Sequence, residues 1–141
     1  MNREDTTLHA ELEDRLCFET LIAGLNRGDV GVMDDVFHDD ALMDWPQFSE
    51  RIRGAENRRQ VYASIPTLPR ITTRRIFGEG NLWIAEATLD YGEGAVFSTA
   101  LIFEFRGNRI ARETAYWATP GPPAEWRAAW VEPLEPSPSA A

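Results

Sequence analysis

Residues 70–117 read RITTRRIFGEGNLWIAEATLDYGEGAVFSTALIFEFRGNRIARETAYW, and this stretch decides the fold class. It contains four runs rich in β-branched and aromatic residues, at 70–77, 82–91, 95–105 and 109–117. Short glycine-containing turns separate the runs. Because turns this short connect antiparallel neighbours, the stretch predicts a four-stranded antiparallel meander.

Helical patterns occupy the residues before the meander. Apolar side chains recur at helical spacing from residue 8 to residue 25, and Gly28 is the expected end of this helix. A short second helix is predicted over residues 30–37 and a third over residues 54–65. Three helices followed by a meander predict an α+β fold in which one sheet wraps around helices.

The composition excludes several classes of function. A net charge of −9 argues against nucleic acid as a partner, because phosphate binding is driven by clustered positive charge. All 14 cationic residues are arginine, which excludes a Schiff-base lysine. The length suits a single domain, predicted over residues 1–132, followed by a proline- and serine-rich disordered tail over 133–141.

Cysteine, histidine and the apolar runs indicate the setting of the protein. Cys17 is the single cysteine, so no internal disulfide can form and a cytoplasmic location is expected. No apolar run reaches the ~20 residues of a membrane-spanning helix, so no membrane partner is expected. With only His9 and His38 available, we expect no metal site, and no cofactor is predicted.

The stretch VFHDDALMDWPQ, residues 36–47, combines carboxylates, a histidine and a tryptophan. We interpret it mainly as the junction between the second helix and a short strand at 41–45, which Pro46 ends. His38 is interpreted as a helix-end residue. Runs of like charge are usually solvated faces, and this applies to the nearby acids Asp34, Asp35, Asp39 and Asp40.

The order of these elements and four local signatures resemble the SnoaL-like branch of the nuclear transport factor 2-like superfamily. The signatures are NRGDVGVMDDVFHDDALMDWP, ERIRGAENRRQVY, FEFRGNRIARETAYW and PAEWRAAWVE, which together span residues 8–132 with the helical pattern before them. The resemblance implies a cone-shaped half-barrel, in which a curved, mainly antiparallel sheet wraps around about three N-terminal helices and encloses a pocket. The superfamily includes steroid isomerases, epoxide hydrolases, polyketide cyclases and proteins without catalysis, so the fold alone does not give the function.

The resemblance also allows the pocket to be compared with that of the ketosteroid isomerases. Matching DDALMDWP to their motif places Trp45 at the position of the general base, and Asp44, one residue earlier, on the opposite face of the strand. Leu21 takes the position of their key tyrosine, and Leu101 or Phe103 that of their protonated aspartate. Of this set only Tyr62 has a plausible counterpart, so the steroid-isomerase machinery is absent.

Two other acids, Glu86 and Glu113, are the candidate catalytic residues. A two-residue turn at Gly92–Glu93 pairs Glu86 with Thr99, and the family pattern places that face inside the cone. A carboxyl in an apolar pocket holds its proton closer to neutrality, and two such groups push each other's pKa values apart, giving an acid and a base. The opposite interpretation stays open, since alternation alone leaves Glu86, Thr88 and Asp90 in water.

On the last strand the same family pattern turns Ala111, Glu113, Ala115 and Trp117 inward. The alanines leave space beside the glutamate, as expected for a cavity. However, a simple two-residue turn at Gly107–Asn108 pairs Glu113 with Ile102, on the wrong face. The inward assignment therefore requires a β-bulge between the turn and Glu113.

These assignments predict a pocket for a small hydrophobic molecule. Its expected lining residues are Phe37, Trp45, Tyr62, Thr88, Asp90, Phe97, Thr99, Leu101, Phe103 and Trp117. One hypothesis is a cofactor-independent isomerase, cyclase or hydrolase that uses Glu86 and Glu113. The alternatives are a non-catalytic ligand-binding or accessory module and a structural dimer with a filled cone.

A homodimer packed through the outer face of the sheet is the expected assembly. The residues predicted on that face are Trp83, Leu89, Tyr91 and Ile102. The other candidate to cover the face is the C-terminal segment WRAAWVEPL, residues 126–134, whose Trp126 and Trp130 lie four positions apart.

Overall fold

A computed structural model of the chain describes residues 3–134, with side chains described from residue 13 onward. Two helices come first along the chain, two strands follow, and a third helix precedes the remaining four strands. They are α1 (Arg3–Asn26), α2 (Val32–Val36), β1 (Phe37–Trp45), β2 (Glu50–Arg53), α3 (Gly54–Ala63), β3 (Arg70–Glu79), β4 (Leu82–Asp90), β5 (Val96–Arg106) and β6 (Arg109–Ala118). Short 3₁₀ turns occupy Pro46–Phe48 and Glu125–Trp130.

The six strands form one curved sheet in the order β2-β1-β6-β5-β4-β3. Every neighbouring pair is antiparallel except β1 and β6, which are parallel. This confirms the predicted α+β fold with a mainly antiparallel sheet. The predicted strand at 41–45 begins earlier than expected, at Phe37, so the junction stretch 36–47 is mostly strand.

The pairing of β5 with β6 contains the bulge that the inward position of Glu113 requires. Phe105 pairs with Ile110, but the next pair is Glu104 with Arg112, which leaves Ala111 as one extra residue in β6. Beyond the bulge Glu113 pairs with Phe103 rather than with Ile102. Because paired residues share a face, Glu113 lies on the same side of the sheet as the buried Phe103.

The pairing of β4 with β5 differs from the prediction by one residue. Glu86 pairs with Ala100 instead of with Thr99, and Thr88 pairs with Ser98. The connection is longer than a two-residue turn, because Tyr91 N–H donates to the Ala95 carbonyl and residues 92–94 all have positive φ. A shift of one residue exchanges the two faces of a strand, so the predicted inward direction of Glu86, Thr88 and Asp90 is wrong.

The same shift corrects the composition of the outer face. Trp83, Leu89 and Tyr91 were predicted to face outward, but Trp83 is buried in the core and the other two line an internal cavity. Of that set, Ile102 alone lies outside, beside Ile84. We use the name outer patch for the apolar side chains on this face, which are Phe77, Leu82, Ile84, Ile102 and Tyr116.

The core lies between the helices and the inner face of the sheet. Phe18 of α1 packs edge-to-face on Phe103 of β5, with 4.4 Å between ring centroids. Phe37, Met43 and Ile110 are also fully buried. The helices therefore close one side of the sheet, and the cavity described below occupies the part of this space that the core does not fill.

No helix within residues 3–134 is both long and apolar enough to cross a membrane. The predicted cytoplasmic location stays a prediction. The predicted disordered tail over 133–141 falls almost wholly outside the described residues.

Close packing between α1 and α2 gives a test of the helical layer. A methyl group on Gly24 would come within 2.6 Å of Val32 Cγ1. Overpacking of this kind costs about 1–3 kcal/mol, which outweighs the gain of roughly 0.5–1 kcal/mol from replacing a helical glycine. We expect Gly24→Ala to lower the free energy of unfolding measured in urea, whereas the control Gly121→Ala, which meets no atom within 4 Å, leaves it unchanged. Equal stability of the two variants would contradict the packing described.

Candidate functional site

A cavity of about 150 Å³ lies between α1, α3 and the inner face of the sheet. Apolar side chains from both helices and from five strands form most of its wall. Among the described residues that line it, Glu113 is the only carboxylate, and no arginine is present. The other hydroxyl-bearing side chains in the wall are Tyr62, Tyr91 and Thr99, and Thr99 already donates its hydroxyl to the Tyr116 carbonyl at 2.8 Å.

Glu113 is held in this apolar space by the bulge in β6. Its exposed fraction is 7%, and its neighbours across the strands are Phe103 and Met43, both buried. Its Oε2 atom has no hydrogen-bond partner among the described residues. Burial disfavours the charged form and raises the pKa of Glu113 from 4.5 to about 7, against the opposing effect of the Arg58 charge.

Arg58 brings a second buried charge close to this region. Its side chain is 2% exposed, and its guanidinium lies 4.9 Å from the ring centroid of Phe37. The nearest carboxylate, Asp34, is 3.4 Å away and is shared with Arg59, and the Nε atom of Arg58 has no partner in the described part of the chain. Burial lowers the pKa of Arg58, which stays positively charged near neutral pH, and this charge favours ionised Glu113. For Glu113, burial is the larger effect.

Tyr62 lies one helical turn after Arg58 on α3, so both side chains lie on the same face of the helix. Burial, and then the charge of Glu113, raise the pKa of the Tyr62 hydroxyl. That hydroxyl therefore stays protonated and available as a hydrogen-bond donor.

The cavity borders a second space on the side formed by the end of α1 and the loop that follows α3. This space is a more open cleft of about 510 Å³, which shares several walls with the cavity, including Tyr62 and Leu68. At the other side, Trp45 and Trp117 pack edge-to-face with 5.4 Å between ring centroids, and Phe48 lies 5.6 Å from Trp117. Tyr62 and Leu68 therefore lie between the cavity and the open cleft on the α3–β3 side.

Comparison with known proteins gives the family. The model of the SnoaL-like domain matches residues 18–113, which is more than half of the chain. The chain belongs to the SnoaL-like domain family.

Solved structures agree with this assignment. An NTF-2 like protein of unknown function from Burkholderia xenovorans is similar with a TM-score of 0.81 and 35% identity, over 89% of this chain and 98% of that one. A candidate ketosteroid isomerase from Kribbella flavida is similar with a TM-score of 0.78 and 20% identity, over 88% of this chain and 91% of that one. An LEH-like epoxide hydrolase from M. tuberculosis is similar with a TM-score of 0.64 and 24% identity, over 76% of this chain and 84% of that one. At these lower identities the last two show the fold alone. No curated protein matches the chain.

The SnoaL-like structure brings six of the ten predicted lining residues into the cavity wall. These are Trp45, Tyr62, Thr99, Leu101, Phe103 and Trp117. Leu21 also lines the cavity, and Asp44 points to the outer face, where Arg51 Nε donates to it at 2.6 Å and Arg112 at 2.7 Å. Mainly the hydrogen bond from Arg51 lowers the pKa of Asp44 to about 2.

Four of the predicted lining residues lie elsewhere. Phe37 is wholly buried in the core, under Arg58. Thr88 and Asp90 lie on the outer face because of the longer β4–β5 turn. Phe97 lies on the inner face but contacts Tyr91, at 5.7 Å between ring centroids, instead of lining the cavity.

Glu86 is the main correction to the predicted site. It lies on the outer face and forms an ion pair with Arg75 of β3. The predicted pair of catalytic carboxylates in one pocket is therefore wrong, since only Glu113 faces the cavity. The physical cause is again the register of β4, which the length of the glycine-rich turn decides.

Some lining residues were not predicted. The stripe of α1 contains Leu21, Ile22 and Leu25, and its helical spacing was the signal that they face inward. Alternation along β4 was the signal for Leu89 and Tyr91, whereas the inward position of Ala115 on β6 was expected from the family pattern. The loop residues Ile65, Leu68 and Pro69 carried no such signal, because irregular backbone has no periodicity.

The acidic side chains between residues 34 and 40 are exposed or half-buried, as expected for a solvated run. Asp34 and Asp40 pair with arginines, Asp40 with Arg106 at 2.7 Å, and His38 Nε2 lies 2.6 Å from the Arg106 carbonyl oxygen. Within residues 3–134, no three or more His, Cys, Asp or Glu side chains group in a way that would hold a metal ion.

The raised pKa of Glu113 predicts how stability depends on pH. Between about pH 4.5 and 7 the side chain is protonated in the folded chain and ionised in the unfolded chain. The free energy of unfolding therefore falls as pH rises through this interval, by on the order of 3 kcal/mol, and the loss is complete above it. Glu113→Gln removes this effect. The free energy of unfolding of the variant minus that of wild type should therefore rise from acid to neutral pH. Urea unfolding at a series of pH values measures this difference.

The matched control for this experiment is Glu104→Gln, on the exposed outer face of the adjacent strand. Its stability should fall with pH in parallel with that of wild type, because this variant keeps Glu113. Parallel curves for Glu113→Gln would contradict the buried position of the carboxyl.

Proposed function

We propose that this SnoaL-like protein is a cofactor-independent acid–base enzyme that moves a proton on a small, largely apolar substrate. The observation that carries the proposal is one carboxyl, Glu113, held without a partner for Oε2 in an apolar cavity and with a pKa of about 7. A general acid or base is most effective when its pKa lies near the working pH. An isomerisation or cyclisation fits best, because one carboxyl can remove a proton and return it.

The neighbouring groups support this role. The Tyr62 hydroxyl keeps its proton and is suited to donate a hydrogen bond to a substrate oxygen on which negative charge develops. Arg58 stabilises the charged form of Glu113 from outside the cavity, which keeps the base available near neutral pH. The aromatic wall formed by Trp45, Phe103 and Trp117 suits a flat apolar skeleton.

The size of the cavity limits the substrate. A cavity of roughly 150 Å³ lined by apolar side chains is large enough for benzene. The cavity here has a similar volume of about 150 Å³, and it shares lining residues with the wider cleft of about 510 Å³. We therefore propose a substrate whose reacting part is one ring or a short branched chain, with any larger part extending past Leu68 toward the cleft.

A hydrolytic version of the reaction has less support. The epoxide-hydrolase hypothesis calls for an arginine and two aspartates in the pocket. Neither residue type is present among the described residues that line this cavity. The similar epoxide hydrolase shares the fold, and its activity does not transfer to this chain.

A second candidate is a non-catalytic ligand-binding module. The observation that favours it is the position of Glu86 outside the cavity, which leaves the pocket with one acid instead of an acid–base pair. A binding module would hold an apolar ligand through the same wall, with Glu113 as a hydrogen-bonding group.

Proton exchange on a small cyclic enone separates these two functions. With 2-cyclohexenone in D₂O, wild type should accelerate exchange of the protons next to the carbonyl, and NMR follows the reaction. The rate should rise with pH and level off above about 7, because the ionised form of Glu113 is the base. Glu113→Gln should lower the rate by a factor of about 10²–10⁴, the usual contribution of a general base, while calorimetry shows that the enone still binds.

The control is Glu86→Gln, which removes a carboxylate on the outer face and should leave the exchange rate unchanged. A wild-type protein that binds the enone and exchanges no protons would support the binding module instead. Equal rates for wild type and Glu113→Gln would refute the assigned role of Glu113.

A further inference from the structure

The cleft of about 510 Å³ beside the cavity carries positive charge. It lies where the end of α1 faces the loop 64–69 and the start of β3. The charged side chains in its wall are Arg27 and Arg70, and no carboxylate lines it among the described residues, although the whole chain carries a net charge of −9. The cleft and the cavity share five lining residues, which are Leu25, Tyr62, Ile65, Leu68 and Pro69.

The side chain of Asn26 places the two arginines at the same cleft. Its Nδ2 atom donates to the Ile71 carbonyl at 2.9 Å, and its Oδ1 atom accepts from the Ile71 N–H at 2.7 Å. These two hydrogen bonds fix the last residue of α1 to β3, which is an edge strand of the sheet. Arg27 follows Asn26 and Arg70 precedes Ile71, so the same contact brings both arginine positions to the cleft.

Neither arginine is neutralised by a close carboxylate. Within the part of the chain whose side chains are described, Arg70 forms no ion pair and no side-chain hydrogen bond. Its cross-strand neighbour Asp90 accepts instead from the Gly92 N–H at 2.8 Å. Arg27 lies 3.9 Å from Asp29, and both side chains are more than half exposed. Because exposed ion pairs at such a distance contribute little, the cleft keeps its positive charge.

The helix ends beside the cleft leave the two guanidinium groups available to an external partner. Cations are favoured near the last carbonyls of a helix, where partial negative charge collects. At the end of α1 these carbonyls already accept from the N–H groups of residues 27–29, and at the end of α3 from those of residues 64 and 65. Arg70 lies at the start of a strand, where this effect does not apply.

We propose that the cleft binds a carboxylate, so that the substrate is an amphipathic acid whose apolar ring lies beside Glu113 and whose carboxylate contacts Arg27 and Arg70. The inference rests on the proposed function for the reacting end of the substrate, whereas the carboxylate site depends on the two arginines. Guanidinium groups bind carboxylates through paired N–H donors. The apolar side chains shared by the two spaces suit the aliphatic part that joins the ring to the acid.

The surroundings of the cleft favour a carboxylate over a phosphate. The net charge of −9 repels anions at long range, and this repulsion increases with the charge of the ligand. A phosphate ester carries about −1.5 to −2 near pH 7, whereas a carboxylate carries a single charge. Phosphate sites commonly use the N-terminal end of a helix, but α1 and α3 border this cleft with their C-terminal ends.

Calorimetry with 6-phenylhexanoate and its neutral counterpart 6-phenylhexanamide tests the site without any reaction. The phenyl ring suits a cavity of about 150 Å³, and the aliphatic chain leads toward the cleft. At about pH 8, where the acid is ionised, wild type should bind the acid at least 10-fold more tightly than the amide, as expected for charge-assisted hydrogen bonds that are partly exposed. Arg27→Gln/Arg70→Gln should abolish this preference and leave the affinity for the amide unchanged, which also shows that the variant is folded.

The matched control is Arg53→Gln, which removes an exposed arginine before the first residue of α3, about 15 Å from the end of the helix that borders the cleft. This variant should keep the preference for the acid. Equal affinities of wild type for acid and amide, no measurable binding of either ligand, or a preference that persists in the double variant would each overturn the proposal. Tighter binding of 6-phenylhexyl phosphate than of the acid would contradict the assignment to a carboxylate.

Proton exchange on a cyclic enone that carries the same carboxylate chain separates this inference from the proposed function. The double arginine variant should raise KM for this enone about 10-fold, whereas Glu113→Gln should lower the exchange rate and keep the preference for the acid in binding. A preference for the acid without exchange would support the carboxylate site and contradict the enzyme. Exchange without a preference for the acid would support the enzyme and overturn the carboxylate site.

Discussion

One extra residue in β6, Ala111, determines what the cavity can do. Without this bulge Glu113 would oppose Ile102 on the outer face, and with it Glu113 opposes the buried Phe103. The bulge thus places a carboxyl inside an otherwise apolar wall. Because the carboxyl loses contact with water there, this placement costs solvation free energy. The aromatic side chains around it are available in many packed cores, whereas the isolated acid is the group in this wall that can exchange a proton near neutral pH.

The electrostatics of the site follow from this placement. An unpaired carboxylate deep in an apolar cavity would keep its proton far above neutral pH, whereas an arginine in direct contact would keep it ionised. The effect of Arg58 on Glu113 is intermediate between these two cases. Arg58 is buried nearby and outside the cavity wall, so burial still dominates and the pKa of Glu113 settles at about 7. The fold therefore holds a carboxyl whose pKa lies near neutrality with few polar groups around it.

Much of the architecture is predictable from the sequence, because alternation and helical spacing have direct physical causes. The meander and the helices follow from pattern and turn length. The inward positions of Trp45 and Glu113 are what the family resemblance implies, and the need for a bulge follows when that position of Glu113 is combined with strand register. The direction of Glu86 does not follow from the pattern, because it depends on a turn whose consecutive positive φ values at Gly92, Glu93 and Gly94 lengthen it beyond two residues. The wall contributed by the α3–β3 loop also escapes prediction, since irregular backbone has no repeat to detect.

Family membership sets the frame for these conclusions and leaves the chemistry to the residues. The similar solved structures span an isomerase candidate, an epoxide hydrolase and proteins of unknown function, so the shared fold does not select one activity. In this chain the site consists of a carboxyl, a tyrosine hydroxyl and an apolar wall.

Infrared titration of the Glu113 carboxyl tests the central claim most directly. The difference between wild-type and Glu113→Gln spectra isolates the carboxylic acid carbonyl band of this one group. A protonated band that persists into weakly acidic solution and disappears with a midpoint near pH 7 is the result expected from its burial. A carboxylate band already complete at about pH 5, as for a solvated glutamate, would contradict the account.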